Sequence, residues 1–340
     1  MRRYRFHMKR CIPIATFGVL LFLVIHVYEP QIWRPNMAAG QTSRGIRIVK
    51  KHIFIYTQVE DIVCVNFKGR LGNLMVEYVF LYITAKLKML YPILPENSEL
   101  VQVFNIQNTT LSAINKTPKA CSKLPLYKER WGLSYDEKLL SVPPSKGVRF
   151  DGYFQSWKYW IKYEEEIRDI LTFKEPIRKK AYTQMREILN QMKFNASKNN
   201  VVVSIHIRRG DYATAGHFKY GKLTPNETYY QNAMKYFKTK YQNVLFIVGS
   251  NDIGWSKKAL ANETSVYYST GNSPAEDMAL LSLANHTIMS VGTFGWWIGW
   301  MARGTSIFYK NIFRPGSGFA KEFRNNSIDD FIYPGWIPME

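Results

Sequence analysis

Short apolar runs alternate with helical patterns along much of the chain. Residues 61–67 and 201–206 read as buried strands, because β-branched and other apolar residues follow one another there. Apolar residues at helical spacing follow at 74–89, and a charged, amphipathic stretch at 162–193 is predicted to be helical. Further predicted elements are a helix near 229–240, a strand at 243–248, a helix at 274–284 and a strand at 287–291. The alternation predicts an α/β protein with a parallel, doubly wound sheet.

Polar clusters follow three of these predicted strands. They are His206–Asp211, Ser250–Asp252 and Gly292–Gly295. In parallel sheets, ligands bind in the crevice beyond the carboxyl ends of the strands. The three clusters are therefore predicted to form one site.

The N-terminal segment predicts a membrane anchor. Residues 1–10 are basic, and residues 11–28 form an apolar run without a formal charge. Spanning a bilayer core takes about 17–25 helical residues, and positive charge before the span favours a cytosolic N-terminus. We expect a cytosolic tail at 1–10, a transmembrane signal-anchor at 11–28 and a stem at 29–58. A cleaved signal peptide is the alternative, but its apolar region would be shorter, roughly 7–15 residues.

N-glycosylation acceptors support a secretory route independently of the anchor. Each begins an N-x-[ST] triplet without proline at x, and the acceptors are Asn108, Asn115, Asn195, Asn226, Asn262, Asn285 and Asn325. We expect Asn285 to be buried and unmodified, because it lies in an apolar run.

Composition narrows the choice of partner. The net charge of +20 predicts an anionic partner, but the basic residues are spread along the chain, so nucleic acid is not expected to be that partner. Cys11 lies in the apolar N-terminal run, which leaves Cys64 and Cys121 as one disulfide that could form. No group of Cys and His has metal-ligand spacing, so we expect no metal site.

Two adjacent arginines follow the strand at 201–206. The guanidinium groups of Arg208 and Arg209 could bind phosphate oxygens bidentately. Charge on a departing diphosphate grows as the bond breaks, so fixed arginines stabilise the transition state more than the ground state. A surface patch of Arg–Asp ion pairs is the alternative.

Here the sequence resembles a known family. H-I-R-R-G-D-Y at 206–212 is similar to the H-x-R-R-x-D signature of α1,2-, α1,6- and protein O-fucosyltransferases. Three further blocks resemble the α1,2-fucosyltransferases: G-R-L-G-N-L-M at 69–75 with E-Y at 77–78, G-Y-F-Q-S-W at 152–157, and the motifs between 273 and 295. The blocks keep the order of that family and cover about residues 64–300.

The resemblance implies a GT-B-like architecture of two Rossmann-like domains behind the transmembrane helix. We expect an N-terminal catalytic half on the acceptor side at 59–198 and a donor-binding half at 199–340. It also implies a single-pass type II protein of the Golgi membrane with its catalytic head in the lumen. The reaction would invert the anomeric centre without a cofactor or metal, which agrees with the lack of a D-x-D motif.

The expected activity is transfer of L-fucose from GDP-fucose to the 2-hydroxyl of a terminal galactose on a glycan acceptor. Arg208, Arg209 and Asp211 would be catalytic. Residues expected to bind GDP-fucose are His206, Arg208, Arg209, Ser250, Asp277, Thr293, Phe294 and Gly295. A fucosyltransferase of another linkage or acceptor, or an inactive membrane-anchored sugar-binding protein, would fit the same fold.

The catalytic base is left open between Asp211, His217 and Glu77, and a dissociative path with little base assistance is a further alternative. Two features depart from the family. Leu74 replaces a usual Gln, and Trp296 and Trp297 follow Gly295, where they could enlarge the aromatic wall of the site or simply pack a helix.

Overall fold

The computed structural model describes residues 62–95, 97–106, 117–142 and 147–340. The predicted tail, signal-anchor and stem lie outside the described residues, as do Asn108 and Asn115. Within the described ranges, every helix is too short or too polar to cross a bilayer.

A four-stranded parallel sheet forms from the first part of the chain, in the order β2-β1-β4-β3. Its strands are β1 (Ile62–Val65), β2 (Tyr91–Ile93), β3 (Leu126–Lys128) and β4 (Gly147–Asp151). The helices described in this part are α1 (Leu71–Lys88), α2 (Glu99–Val103), α3 (Thr117–Ser122) and α4 (Glu137–Ser141). A disulfide joins Cys64 in β1 to Cys121 in α3, with a Cα–Cα distance of 5.9 Å.

A six-stranded parallel sheet forms from the second part, in the order β10-β9-β8-β5-β6-β7. Its strands are β5 (Asn200–Ile207), β6 (Asn243–Ser250), β7 (Val266–Tyr268), β8 (His286–Met289), β9 (Ser306–Tyr309) and β10 (Ile337–Met339). The helices are α5 (Glu164–Ile170), α6 (Glu175–Gln191), α7 (Ala215–Tyr220), α8 (Glu227–Lys240), α9 (Ile253–Ala259), α10 (Pro274–Leu281) and α11 (Thr293–Ala302). The predicted α/β fold with parallel strands is confirmed.

The core of the second part explains why its strands were recognisable. β5 and β6 pair over their full length and are buried almost throughout. Val203, Phe246 and Phe237 belong to one buried cluster that joins both strands to α8. Uninterrupted apolar runs are typical of parallel strands covered on both faces.

The helix predicted at 162–193 is divided in the structure. The segment between α5 and α6 pairs with residues 103–105 instead of continuing the helix. The main-chain N–H of Asn105 donates to Thr172 O, and that of Lys174 donates to Val103 O, both at 2.9 Å. Pro176 then lies in the first turn of α6, where its missing N–H is not needed.

The helix α6 precedes the predicted domain boundary at 198 but packs against α10, which follows that boundary. Lys180 of α6 forms an ion pair of 2.8 Å with Glu276 of α10. Asn272 donates from Nδ2 to Gln184 Oε1 at 2.9 Å. The boundaries of the two predicted halves stay a prediction.

Candidate functional site

A cavity of about 840 Å³ lies at the carboxyl ends of β5, β6 and β8. Residues of all three predicted polar clusters line it, among them His206, Ser250 and Gly292. The first part of the chain also contributes lining residues, including Gly72 and Tyr153. Segments separated widely in sequence thus contribute to one site.

Arg208 provides a fixed positive charge at this cavity. Its main-chain N–H donates to Ser290 Oγ at 2.9 Å, and its Nη2 donates to Asp211 Oδ2 at 2.8 Å. The guanidinium carbon also lies 4.7 Å from the centroid of the Tyr212 ring. Side-chain entropy is therefore lost before any ligand arrives, which suits an anion-binding group.

Arg209 lies elsewhere. Its guanidinium carbon stacks 4.1 Å from the ring centroid of Trp255, and its main-chain N–H donates to Asn251 Oδ1 at 2.9 Å. Arg209 is not among the residues that line the cavity. The backbone leaves the strand conformation at Arg209, with φ of −129° and ψ of −82°. The structure therefore places Arg208 at the cavity and the Arg209 guanidinium on Trp255, whereas the sequence hypothesis expected both at the diphosphate.

His206 is a buried, neutral support beneath the site. Burial and the positive charge of Arg208 lower the pKa of its imidazole to about 3. Its Nδ1 lies 3.3 Å from Ser290 Oγ. A Cβ at Gly295 would overlap the ring, which explains glycine there. Gly295 therefore makes room for His206 within the first turn of α11 and does not itself line the cavity.

The other residues predicted to bind nucleotide do line it. Asp277 accepts hydrogen bonds from Ser269 Oγ at 2.7 Å and Asn272 Nδ2 at 3.0 Å, and burial raises the pKa of its carboxyl. Ser250 Oγ accepts from the main-chain N–H of Asp252 at 2.9 Å. Thr293 and Phe294 lie at the start of α11. These groups could present hydrogen-bonding and apolar surfaces to a base and ribose.

The glycine-rich turn of the first part contacts α11 directly. Thr293 Oγ1 donates to Asn73 Oδ1 at 2.7 Å, and Gln155 Nε2 donates to the same oxygen at 3.2 Å. Trp297 Nε1 donates to Gly72 O at 2.9 Å. Three motif blocks that are separate in sequence therefore meet beside the cavity.

The three base candidates have different positions. Asp211 and His217 line the cavity, whereas Glu77 does not. Glu77 is fully buried and accepts at Oε2 from the main-chain N–H of Lys68 at 3.0 Å. Burial, the largest cause, raises the pKa of Glu77 to about 8. The Glu77 carboxyl therefore stabilises the turn at Lys68 through this hydrogen bond.

The carboxyl of Asp211 and the imidazole of His217, which both line the cavity, have pKa values that are lowered for different reasons. Burial alone would raise the pKa of Asp211, but the hydrogen bond and charge of Arg208 hold it below its ordinary value. Burial and the charge of Lys222 lower the pKa of His217. His217 is therefore neutral near pH 7 and able to accept a proton, while Asp211 is an ionised partner of Arg208.

Of the two alternatives for Trp296 and Trp297, an aromatic wall or helix packing, the structure shows helix packing. Both are buried, neither lines the cavity, and Trp297 stacks on Trp160 with ring centroids 6.0 Å apart. Helix packing is their role. Leu74 is also absent from the cavity lining.

Sequence reasoning missed several lining residues. They are Tyr153, Tyr212, Tyr220, Lys222, Phe319 and Glu322. Tyr212 could have been found, because it belongs to the H-I-R-R-G-D-Y block. Tyr153 could have been found in the same way, because it belongs to the G-Y-F-Q-S-W block. The other four lie in segments without a recognisable motif, and the tertiary fold brings them to the site.

The remaining predictions concern modification and metals. Asn195, Asn226, Asn262 and Asn325 are exposed, whereas Asn285 is half-buried; their modification stays a prediction. In the part of the chain that the structure describes, no group of three or more His, Cys, Asp or Glu could hold a metal ion. That the reaction needs no metal also stays a prediction.

Comparison with known proteins places the chain among the glycosyltransferases. The family model described as Glycosyl transferase family 11 matches residues 39–339. The chain therefore belongs to glycosyl transferase family 11.

Curated relatives agree with this assignment. The chain is 32% identical over 343 residues to galactoside alpha-(1,2)-fucosyltransferase 2 of Pongo pygmaeus, covering 95% of this chain and 93% of that protein. It is 29% identical over 279 residues to galactoside 2-alpha-L-fucosyltransferase SEC1 of Bos taurus, covering 80% of this chain and 72% of that protein. A crystal structure of POFUT1 in complex with GDP-fucose matches with a TM-score of 0.47 and 11% identity, covering 73% of this chain and 97% of that one.

Proposed function

We propose that the protein transfers L-fucose from GDP-fucose to the 2-hydroxyl of a terminal galactose on glycans. The names of the curated relatives support this transferred sugar, acceptor and linkage. The single observation in the molecule that carries the proposal is Arg208, held at a cavity where the motif blocks of the chain converge. A GT-B-like arrangement of two Rossmann-like domains is part of the proposal.

In the proposed reaction the galactose 2-oxygen attacks fucose C1, and the bond from C1 to the diphosphate oxygen of GDP breaks. Attack from the opposite side inverts the anomeric centre. Arg208 stabilises the negative charge that develops on the departing diphosphate, so the reaction is proposed to need no metal.

His217 is the base that the electrostatics of the cavity favour. Its imidazole is neutral near pH 7, because burial and Lys222 lower its pKa. Asp211 Oδ2 accepts from Arg208 Nη2 at 2.8 Å, and this contact holds the pKa of the carboxyl below its ordinary value, which makes Asp211 the weaker base. Under this assignment the 2-hydroxyl proton passes to His217, and Asp211 orients the guanidinium.

We also propose that the protein is a single-pass type II Golgi membrane protein with a luminal head. The basic stretch at 1–10 and the apolar run at 11–28 support the anchor. The glycosylation acceptors support a luminal head.

The test uses the detergent-solubilised full-length protein with labelled GDP-fucose and a panel of galactosides, followed by linkage analysis of the product. Fucose in α1,2 linkage to galactose is expected. Another linkage would redirect the proposal to a different fucosyltransferase, and failure to bind or turn over GDP-fucose would reject it.

Two matched variants test the role of the arginine. Arg208→Ala should abolish transfer, whereas Arg209→Ala should retain more activity, because its guanidinium stacks on Trp255. Equal losses in the two variants, in proteins that unfold at the same urea concentration, would contradict the separation seen in the structure.

A further inference from the structure

Besides Arg208 and Arg70, the cavity is lined by a further cationic side chain, Lys222, which no motif indicates. Lys222 follows Gly221, whose φ of 104° ends α7 in the left-handed region. The main-chain N–H of Arg314 donates to Gly221 O at 2.8 Å, and that of Leu223 donates to Ile312 O at 3.1 Å. Backbone bonds on both sides thus hold Lys222 in place at the cavity wall.

The ammonium of Lys222 lies over aromatic rings. Its Nζ is 4.5 Å from the ring centroid of Tyr212 and 5.0 Å from that of Phe319. Tyr212 is the ring that also carries the guanidinium of Arg208, at 4.7 Å. Two cations therefore share one aromatic platform inside the cavity.

In the part of the chain that the structure describes, the ammonium of Lys222 has no directly paired carboxylate. Among the residues that the structure describes, no carboxylate oxygen lies within 4.0 Å of its Nζ. Asp211 is paired with Arg208 at 2.8 Å and Arg70 at 3.8 Å. Glu322 accepts from Tyr220 Oη at 2.8 Å and from the main-chain N–H of Gly132 at 3.2 Å.

The surroundings of Lys222 disfavour its positive charge, and its pKa is lowered accordingly. Burial, followed by the charge of Arg208, lowers the pKa of the Lys222 ammonium, and Asp211 and Glu322 offset this only in part. A half-buried cation without a counter-ion is stabilised when an anion enters beside it.

We propose that Lys222 is the second cationic ligand of the nucleotide-sugar diphosphate, in the role that the sequence hypothesis gave to Arg209. Arg208 and Lys222 then present a guanidinium and an ammonium to the two phosphates from the Tyr212 platform. This inference rests on the proposed function, because it takes the diphosphate of GDP-fucose as the anion.

Titration calorimetry of the full-length protein with GDP, GMP and guanosine tests the proposal. Lys222→Met keeps the apolar stem on Tyr212 and Phe319 but removes the charge. It should weaken GDP binding about 10- to 100-fold, weaken GMP binding less and leave guanosine binding unchanged. Lys222→Arg should keep the preference for GDP over GMP.

Lys219→Met is the matched control, because Lys219 is an exposed lysine of α7 that does not line the cavity. It should bind GDP like the wild type. Urea unfolding of each variant separates loss of the ligand contact from loss of the fold.

The outcomes distinguish the two proposals. If the wild type fails to bind GDP, the proposed function fails. If the wild type binds GDP and Lys222→Met folds and binds it with the same affinity, only the role of Lys222 is overturned. An effect on the acceptor KM alone, with GDP affinity unchanged, would overturn it as well.

Discussion

Gly72→Ala tests how closely the two parts of the chain approach each other. Gly72 is the second residue of α1, and a Cβ there would lie 2.8 Å from the main-chain nitrogen of Phe294 and 3.0 Å from the carbonyl carbon of Thr293. Both atoms belong to backbone, which cannot rotate aside as a side chain can. The methyl group must therefore push α1 and the start of α11 apart.

Two opposing effects set the magnitude. Alanine is preferred over glycine in a helix by about 1 kcal/mol in the interior, and less at the first turn. Overpacking in a close-packed contact costs about 1–3 kcal/mol. The movement would also strain the hydrogen bond of 2.9 Å from Trp297 to Gly72 O and that of 2.7 Å from Thr293 to Asn73. We expect a net loss of about 1–2 kcal/mol in the free energy of unfolding.

The assay is urea unfolding of the purified full-length protein, with Gly216→Ala as the control. Gly216 is also the second residue of a helix, α7, but a Cβ there would meet no atom within 4 Å. The control should be as stable as the wild type, or more stable by up to about 1 kcal/mol. A Gly72→Ala protein as stable as its control would refute the close approach. The initial rate of fucose transfer should fall together with stability in Gly72→Ala, because Gly72 lines the cavity. It should not fall in Gly216→Ala.

Three further results are expected. Replacing Cys64 and Cys121 with Ala should lower the free energy of unfolding in non-reducing urea by about 2–5 kcal/mol, because the disulfide spans 57 residues; a change below about 1 kcal/mol would contradict this. The folded pKa of His206, about 3, lies below its ordinary value of 6.5, so the unfolded chain binds more protons between these values. Stability present above pH 6.5 should therefore fall on acidification by up to about 1.4 kcal/mol per pH unit, with a shallower fall in His206→Gln; equal slopes would refute the neutral imidazole. Glycopeptide mass spectrometry should find Asn285 unmodified, because its Oδ1 accepts from the main-chain N–H of Val202 at 2.9 Å, and occupancy there would contradict it.

The second sheet was more predictable from the sequence than the first. β5 and β6 are eight residues long and apolar, so their hydrophobic runs stand out. β2 has three residues with proline in the middle, and β3 has three exposed residues. Such short strands form because neighbouring strands provide hydrogen-bond partners, and a local pattern does not record those partners.

The residues of the site likewise divide into those that a local sequence pattern predicts and those that it does not. The position of Arg208 at a strand end followed from the pattern, because carboxyl ends of parallel strands meet at one edge. The departure of Arg209 toward Trp255 depends on the backbone angles after the strand and on the later helix α9 (Ile253–Ala259), which contains Trp255. Lys222 reaches the cavity only because backbone bonds fix it beside residues 312–314. These contacts join residues that are far apart in sequence, so a local sequence pattern does not predict them.

The covalent link between β1 and α3 has a consequence for handling the protein. It closes a loop that contains the glycosylation acceptors Asn108 and Asn115. A protease that cuts the chain once between Cys64 and Cys121 would leave two fragments still joined by sulfur. The cleaved protein would migrate as one band on a non-reducing gel and separate into two only after thiol treatment.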